Sequence, residues 1–429
     1  MSRSPASARH LVIGAGVHGL STAWHLALAG EEVLVVDKTA VGAGASGIAC
    51  GVIRNNYFQP AMQELIAACV EIWECDPEVL HYHGSGYLAL GPASQESDLS
   101  EVFERQQRIG YESELITGEA AVRDHMRGLY GDWRADGLSV CLHERRGGFA
   151  FNRESMIGLA AKARAAGAEI ATGVEVTGFA TDGSGAVTAV ETDGGPIEVE
   201  QVVVAVGPWI PQLWRMLGLP DSIELRRPDG LVEPEVGMWT YWYLQEGEVA
   251  LAPSTLDTAD GREGPVLHVD SDVPLHDDEG RLLTDEPWGI YVKPDRDSVQ
   301  GGAQPLPVGA EVVLDPYPTG TVEPGFPDLW SAALSACMAR FEGCRPLYNE
   351  VRSGGAGAFT VDNFPVFDYM LPNVYVAADS NHGYKMIAVG REIARVMQGE
   401  HSTLLHPFRF DRFATGDLHP VSHSPYPWS

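Results

Sequence analysis

The chain has 429 residues, 45% of them apolar, enough for two domains that each bury a core. With 59 acidic against 29 basic residues, the net charge of −30 excludes nucleic acid as an expected partner; no apolar run approaches the roughly eighteen residues of a membrane span. The six cysteines form no Cys-x-x-Cys pair and no histidines cluster at ligand spacing, so the reading is free, mostly buried thiols in a reducing, cytoplasmic setting, no metal, and residues 1–9 as a frayed leader.

Residues 10–38, HLVIGAGVHGLSTAWHLALAGEEVLVVDK, read as a buried strand, a Gly-x-Gly-x-x-Gly turn, an amphipathic helix and a second strand ending in an acid. Gly14 permits the turn, Gly16 lets backbone amides approach a pyrophosphate, and Gly19 lets the helix pack on the strand. Asp37 lies where a carboxylate accepts hydrogen bonds from a ribose, so the unit is expected to hold a dinucleotide. A glycine-rich loop follows, then a helix, a strand in GSGYLALGP (84–92), and helices near 97–109 and 118–127.

A helix of about thirteen residues containing MIGLAAKARAAG leads into a single alternating strand expected over 168–179. A turn at Asp182–Gly185 and two further strands end in a buried segment over 201–207. From 220 to 345 proline, aspartate and tryptophan become frequent around MWTYWYLQ, PVLHVD, GIYVKP and SVQGGA, which predicts an antiparallel sheet with long loops. HDDEGRLLTDEP reads as a surface excursion, and PDLWSAALSACMARF as a helix returning toward the first domain. Finally, NVYVAADSNHGYKMIAVGREIARVMQGE repeats a strand, a loop and a helix some 360 residues after the first such unit. That return favours a nucleotide domain assembled from distant pieces over a simple nicotinamide dehydrogenase.

The four lysines, Lys38, Lys162, Lys293 and Lys385, stand out in a chain that otherwise uses arginine. Lys162 reads as a solvated charge. Trp239, Tyr241, Trp242 and Tyr243 could form a cation-π cage for an alkylated amine, although at alternate strand positions half of them read as core.

With these motifs, the chain resembles the D-amino acid oxidase superfamily, in its sarcosine oxidase and dimethylglycine dehydrogenase-like branch, over nearly its whole length and least across 230–285. The resemblance implies an α/β fold: a discontinuous Rossmann-like FAD-binding domain (1–83, 146–218 and 346–429) and an α+β substrate domain built on an antiparallel sheet (84–145 and 219–345). It implies FAD over Gly14, Gly16, Val17, His18 and Gly19, with ribose on Asp37 beside Lys38. The loop Gly42–Ser46, including Gly44, Ala45 and Ser46, resembles the second flavin-binding stretch, or is merely flexible. Val174, Gly207 and Trp209 match positions bordering adenine and pyrophosphate, and Gly383, Tyr384 and Lys385 complete the cofactor set. Covalent attachment is not expected, because SGGAGAFTVDN lacks a cysteine and Ile48 and Ala49 stand where a histidine would; Cys50 is the nearby exception.

IRNNY (53–57) resembles the motif whose arginine binds substrate carboxylate, which makes Arg54 the first candidate; holding a loop acid is its alternative role. Tyr57 lines the same pocket or is core. DSNHGYK matches the signature before the last helix, expected at 386–397, with Lys385 as a carboxylate ligand that also stabilises anionic flavin. His382 touches the flavin edge or caps that helix. Lys293 lies over the flavin or is a surface lysine at a strand end, Arg352 faces the pocket or pairs with Glu350 or Asp362, and the tail HPFRFDRF is packing. The function implied is oxidation of the C–N bond of a small amine or N-substituted amino acid bearing a carboxylate, with oxygen or an electron carrier reoxidising the flavin. A hydroxy-acid or sugar oxidase on the same scaffold is the alternative; an NAD-linked dehydrogenase and a non-catalytic flavoprotein subunit are more distant ones. Neither membrane nor nucleic acid is an expected partner, and the oligomeric state is open.

Overall fold

The computed structural model describes residues 7–349, 354–379 and 382–424. The first strand, Ser7–Ile13, is continuously buried from His10 onward and runs parallel to Val33–Asp37 on one side and Ile197–Val204 on the other. The last of these is shared: its outer half bonds antiparallel to Val187–Thr192, while its inner half bonds parallel to Val374–Ala378. An eight-stranded sheet thereby joins the N-terminal unit, the central hairpin and the C-terminal strand. Strands buried on both faces need near-continuous aliphatic sequence, and LVI, VLVV, VVV and VYVAA supply it.

A second eight-stranded sheet, mostly antiparallel, contains Tyr87–Gly91, Val140–Glu144, Val266–Ser271 and Trp288–Pro294. The chain moves from Thr240–Leu244, in a separate three-stranded sheet, to Glu246–Val249 in this larger one, turning at the buried Gln245. Among the described residues, no helix is long and apolar enough to cross a membrane.

The alternating stretch over 168–179 is two strands. Glu169–Thr172 pairs parallel with Val33–Asp37 at one edge of the sheet, and Val176–Thr181 pairs antiparallel with Val187–Thr192 at the other. Gly173, at φ 74°, breaks the run, and alternation of polarity cannot register such a break. Lys162 is likewise not simply solvated, since its ammonium pairs with Asp76 and lies 4.7 Å from the Trp24 ring centroid. In the closing tail, Arg412 and Asp362 form a buried ion pair with Nε to Oδ2 at 2.8 Å, which gives Asp362 its partner; Glu350 and Arg352 lie outside the described residues.

Helix Val17–Leu28 packs against helix Ala388–Met397, and the contact is backbone-close. A Cβ on Gly390 would sit 2.3 Å from the Ser21 carbonyl carbon and the Thr22 nitrogen, and the Ser21 hydroxyl donates to the Ile387 carbonyl at 2.6 Å. Gly390→Ala is therefore expected to force the helices apart and to lower stability by about 1–3 kcal/mol. Urea unfolding checks this; an unchanged midpoint contradicts it.

Candidate active site

Where strand Ser7–Ile13 ends, Gly14 turns with φ 107°, and a Cβ there would collide with the Ala205 carbonyl at 2.3 Å. A Cβ on Gly19 would lie 1.9 Å from the Gly14 oxygen, so the helix seats on the turn only because both positions are glycine. The helix that follows has no side-chain cap and no acid in its first turn. Its amides and dipole favour an anion there. Ser46 accepts the Val17 N–H at 3.2 Å and ties this N-terminus to the second glycine-rich loop.

The cleft above this turn encloses about 1250 Å3 of space open to solvent. Asp37 lines it, accepting the amides of Ala15 and Thr39 at 2.9 and 2.8 Å. Trp209 also lines it, its indole donating to Asp315 at 3.2 Å, and Lys38 pairs with Asp315 at 2.5 Å while lying 4.3 Å from the Trp209 ring centroid. Gly44 comes so close to Trp209 that a Cβ would approach within 2.8 Å. Val174 reaches the cleft through the break at Gly173, its N–H donating to the Asp37 carbonyl at 3.0 Å.

A second cavity, open to solvent, shares Ala49, Leu244 and Tyr384 with this cleft. Arg54 and Lys385 line it from opposite ends of the chain. Both cations flank Tyr57, at 4.7 and 5.6 Å from its ring centroid. The Arg54 guanidinium donates to the Asn56 carbonyl, and the backbone beside it is anchored by the fully buried Asn55, whose N–H donates to Glu144 at 2.8 Å and whose side-chain amide donates to the Gln63 carbonyl at 2.7 Å. Gln106 donates to the other Glu144 oxygen at 2.8 Å. Lys385 is held by its backbone, whose carbonyl accepts the Trp73 indole N–H at 3.0 Å, and by Tyr384, which bonds Ser155 at 2.5 Å and stacks on Trp73.

The sequence profile of the DAO family, FAD dependent oxidoreductase, matches residues 9–396. The chain belongs to this family. It is 29% identical over 221 residues to sarcosine oxidase subunit beta of Rhizobium meliloti (strain 1021), covering 50% of this chain and 53% of that protein. It is 27% identical over 232 residues to mitochondrial dimethylglycine dehydrogenase of Homo sapiens, covering 49% and 24% of the two. The chain thus spans about half the length, or less, of these curated relatives. L-proline dehydrogenase from P. horikoshii superposes with a TM-score of 0.76 at 20% identity, over 97% of this chain and 100% of that one. Glycine oxidase from Geobacillus kaustophilus gives 0.70 at 18%, over 95% and 99%. These likenesses establish the family's mixed α/β fold.

The family's cofactor is FAD, and the glycine-lined cleft with an uncapped helix N-terminus at one end suits its pyrophosphate. Gly14, Gly16, Val17, His18, Asp37, Lys38, Gly44, Ala45, Ser46, Val174, Gly207, Trp209, Gly383 and Tyr384 all line that cleft, whereas Gly19 lies beneath the turn. Burial pushes the His18 imidazole down to about 4, so it brings no charge to the cleft at neutral pH.

Outside the two cavities the placements differ. Tyr57 stands behind Arg54, and among the described residues its hydroxyl has no hydrogen-bond partner. His382 stacks on Phe364 and meets Tyr57 edge-on, and its backbone N–H donates to Asp379 at 3.2 Å. Burial, then the charges of Lys385 and Arg54, hold its imidazole well below the usual range, so the ring is neutral. Helix Ala388–Met397 begins later than 386, after a short 3-10 turn over Gly383–Lys385. Lys293 is not a surface lysine: it is 1% exposed, bonds Asp295 and the Pro294 carbonyl at 2.8 and 3.1 Å, and lines neither cavity. Of the four aromatics at 239–243, only Trp242 lines the second cavity. Tyr241 and Trp239 pack into the core, Tyr241 donating to the Pro208 carbonyl at 3.1 Å.

Sequence reasoning missed Glu246. This buried carboxylate lines the second cavity and accepts the N–H groups of Cys50 and Gly354 at 3.3 and 3.2 Å and the Tyr291 hydroxyl at 3.0 Å. Its signal, an acid two residues after an aromatic strand, is too common to single it out. Burial pushes its carboxyl from 4.5 up to about 7, against those hydrogen bonds and the Lys293 charge. A raised acid pKa means that the folded state binds the proton more tightly, so stability falls as pH rises from 4.5 through about 7. Relative to Glu246→Gln, the wild type should lose on the order of 2–3 kcal/mol across that window in chemical denaturation. A difference that stays flat contradicts this.

Proposed function

We propose that the chain oxidises the C–N bond of a small carboxylate-bearing amine or N-substituted amino acid, with FAD held non-covalently in the glycine-lined cleft. The observation that carries this reading is the pairing of Arg54 and Lys385 around Tyr57, in a cavity that meets the cleft at Ala49, Leu244 and Tyr384. The sarcosine oxidase and dimethylglycine dehydrogenase relatives supply the substrate class by their names. In its bound state FAD supplies the hydride acceptor.

The protein's part is binding and orientation. Arg54 offers a planar fork to the substrate carboxylate, and Lys385 a second cation beside it. Together they fix the carbon–nitrogen bond toward the shared wall of the two cavities, which removes much of the entropic barrier to reaction. Lys385, just ahead of helix Ala388–Met397, also places positive charge where reduction builds negative charge. Trp242, Tyr291 and Phe359 give the cavity an aromatic lining that limits water around the amine. Two domains go with this reading, 1–83, 146–218 and 346–429 for the cofactor and 84–145 and 219–345 for the substrate. Cys50 stays a thiol, its pKa raised well above the ordinary value by burial and then by Glu246, and a protonated thiol is a poor nucleophile for flavin attachment.

Arg54→Met should leave FAD content unchanged while costing about 2–5 kcal/mol of transition-state binding, roughly tens- to thousands-fold in kcat/KM. Anaerobic bleaching of the flavin by sarcosine, dimethylglycine and related amino acids measures it; bleaching as fast as in wild type contradicts the assignment. Acid precipitation of the yellow protein should release all the flavin into the supernatant, and flavin retained in the pellet contradicts non-covalent binding.

A further inference from the structure

The second cavity is bordered by a hydrogen-bonded chain that the binding of a carboxylate does not use. Tyr87, from strand Tyr87–Gly91, and His268, from the adjoining strand Val266–Ser271, both line the cavity beside Arg54. The Tyr87 hydroxyl lies 2.6 Å from His268 Nδ1, and His268 Nε2 lies 3.1 Å from Asp270 Oδ1. The other Asp270 oxygen accepts the Gln95 amide at 2.8 Å, and Gln95 also reaches Ser424 at 3.1 Å. Tyr87, His268 and Asp270 are 1%, 7% and 5% exposed. Beyond them is a smaller pocket, open to solvent, which His268, Asp270, Gln95 and Arg54 share with the tail serines Ser422 and Ser424.

We propose that Tyr87, His268 and Asp270 form a proton relay that takes the proton from the substrate's ammonium nitrogen; this rests on the reading of the cavity as an amine-carboxylate site. An ammonium nitrogen has no lone pair to assist hydride loss, so the bound substrate must be neutral at nitrogen. Arg54 and Lys385 disfavour the ammonium electrostatically but cannot accept its proton. Glu246, which also lines the cavity and holds two amides and a phenol, is the competing acceptor, and Tyr87→Phe and Asp270→Asn both leave it in place.

The relay is ordered by its last member. Asp270, an acceptor, receives Nε2–H of His268, which leaves Nδ1 as the acceptor for the Tyr87 hydroxyl. Burial raises the Tyr87 pKa, with Arg54 opposing, so the phenol keeps its proton until His268 can receive it. The ammonium proton passes to Tyr87 Oη as the phenol's own proton passes to His268 Nδ1. The products are a neutral amine and an imidazolium held by the Asp270 carboxylate; no electrons move in this step. Arg54, Glu144, Gln95 and Tyr291 face the relay from neighbouring segments, and Glu246 stands behind Tyr291.

The test uses the FAD-loaded enzyme. Tyr87→Phe and Asp270→Asn should slow anaerobic flavin reduction by sarcosine about 100-fold near neutral pH, and the deficit should close near about pH 10, where free amine dominates. Binding of 2-aminoisobutyrate, which has no hydrogen on its C–N carbon and cannot be oxidised there, gives a second readout. Nitrogen-15 NMR of labelled histidine, assigned with His268→Gln, should show His268 become an imidazolium when wild type binds this ligand and stay neutral in Tyr87→Phe. Variants that match wild type at every pH, or a wild-type His268 that stays neutral with ligand bound, overturn the relay while leaving the amine-oxidising function intact. A wild-type flavin that no amine reduces overturns both.

Discussion

The structure depends on how closely the two ends of the chain approach. Helix Ala388–Met397 rests on helix Val17–Leu28 at Gly390, where even a methyl group would meet backbone, and strand Val374–Ala378 bonds the inner half of Ile197–Val204, one strand from the first. These two contacts bring the loop bearing Lys385 to the mouth of the glycine-rich turn. A bulkier residue at the helix crossing would move the ammonium away from Arg54, which bonds the Asn56 carbonyl beside the separately anchored Asn55 and Glu144. The geometry around Arg54 and Lys385 therefore comes from packing between segments far apart in sequence.

The electrostatics of the second cavity follow from the same economy of exposure. Two cations share one aromatic ring, which partly offsets the cost of removing them from water. Two buried carboxyls, Glu144 and Glu246, stand near them, each pushed up to about 7 chiefly by burial. At neutral pH the surroundings of Arg54 and Lys385 therefore carry less negative charge than their composition implies, which leaves the cations available to an anionic ligand. His382, neutral and stacked on Phe364, adds no competing charge.

The fold was legible where local pattern and tertiary role coincide. The turn through Gly14, Gly16 and Gly19 and the repeat of strand, loop and helix at the C-terminus were readable because glycine spacing and aliphatic runs carry direct steric meaning. The break at Gly173 was not, since polarity alternates on both sides of it while the two halves join opposite edges of the sheet. Arg54 and Lys385, which line the second cavity, were singled out through their motifs. Asn55, Glu144, Glu246 and the Tyr87–His268–Asp270 chain were not, because each acquires its importance from a neighbour distant in sequence. Lys293 shows the converse: of its two readings, over the flavin or solvated at a strand end, the solvated one fails because Asp295 and a backbone carbonyl lie within reach of the buried ammonium.

The most direct test of the account is a crystal structure of the yellow protein soaked with a non-oxidisable amino acid such as 2-aminoisobutyrate. The isoalloxazine should lie at the wall formed by Ala49, Leu244 and Tyr384, with the ligand carboxylate bonded to both Arg54 and Lys385. An isoalloxazine elsewhere in the cleft, or a carboxylate that touches neither cation, would contradict it.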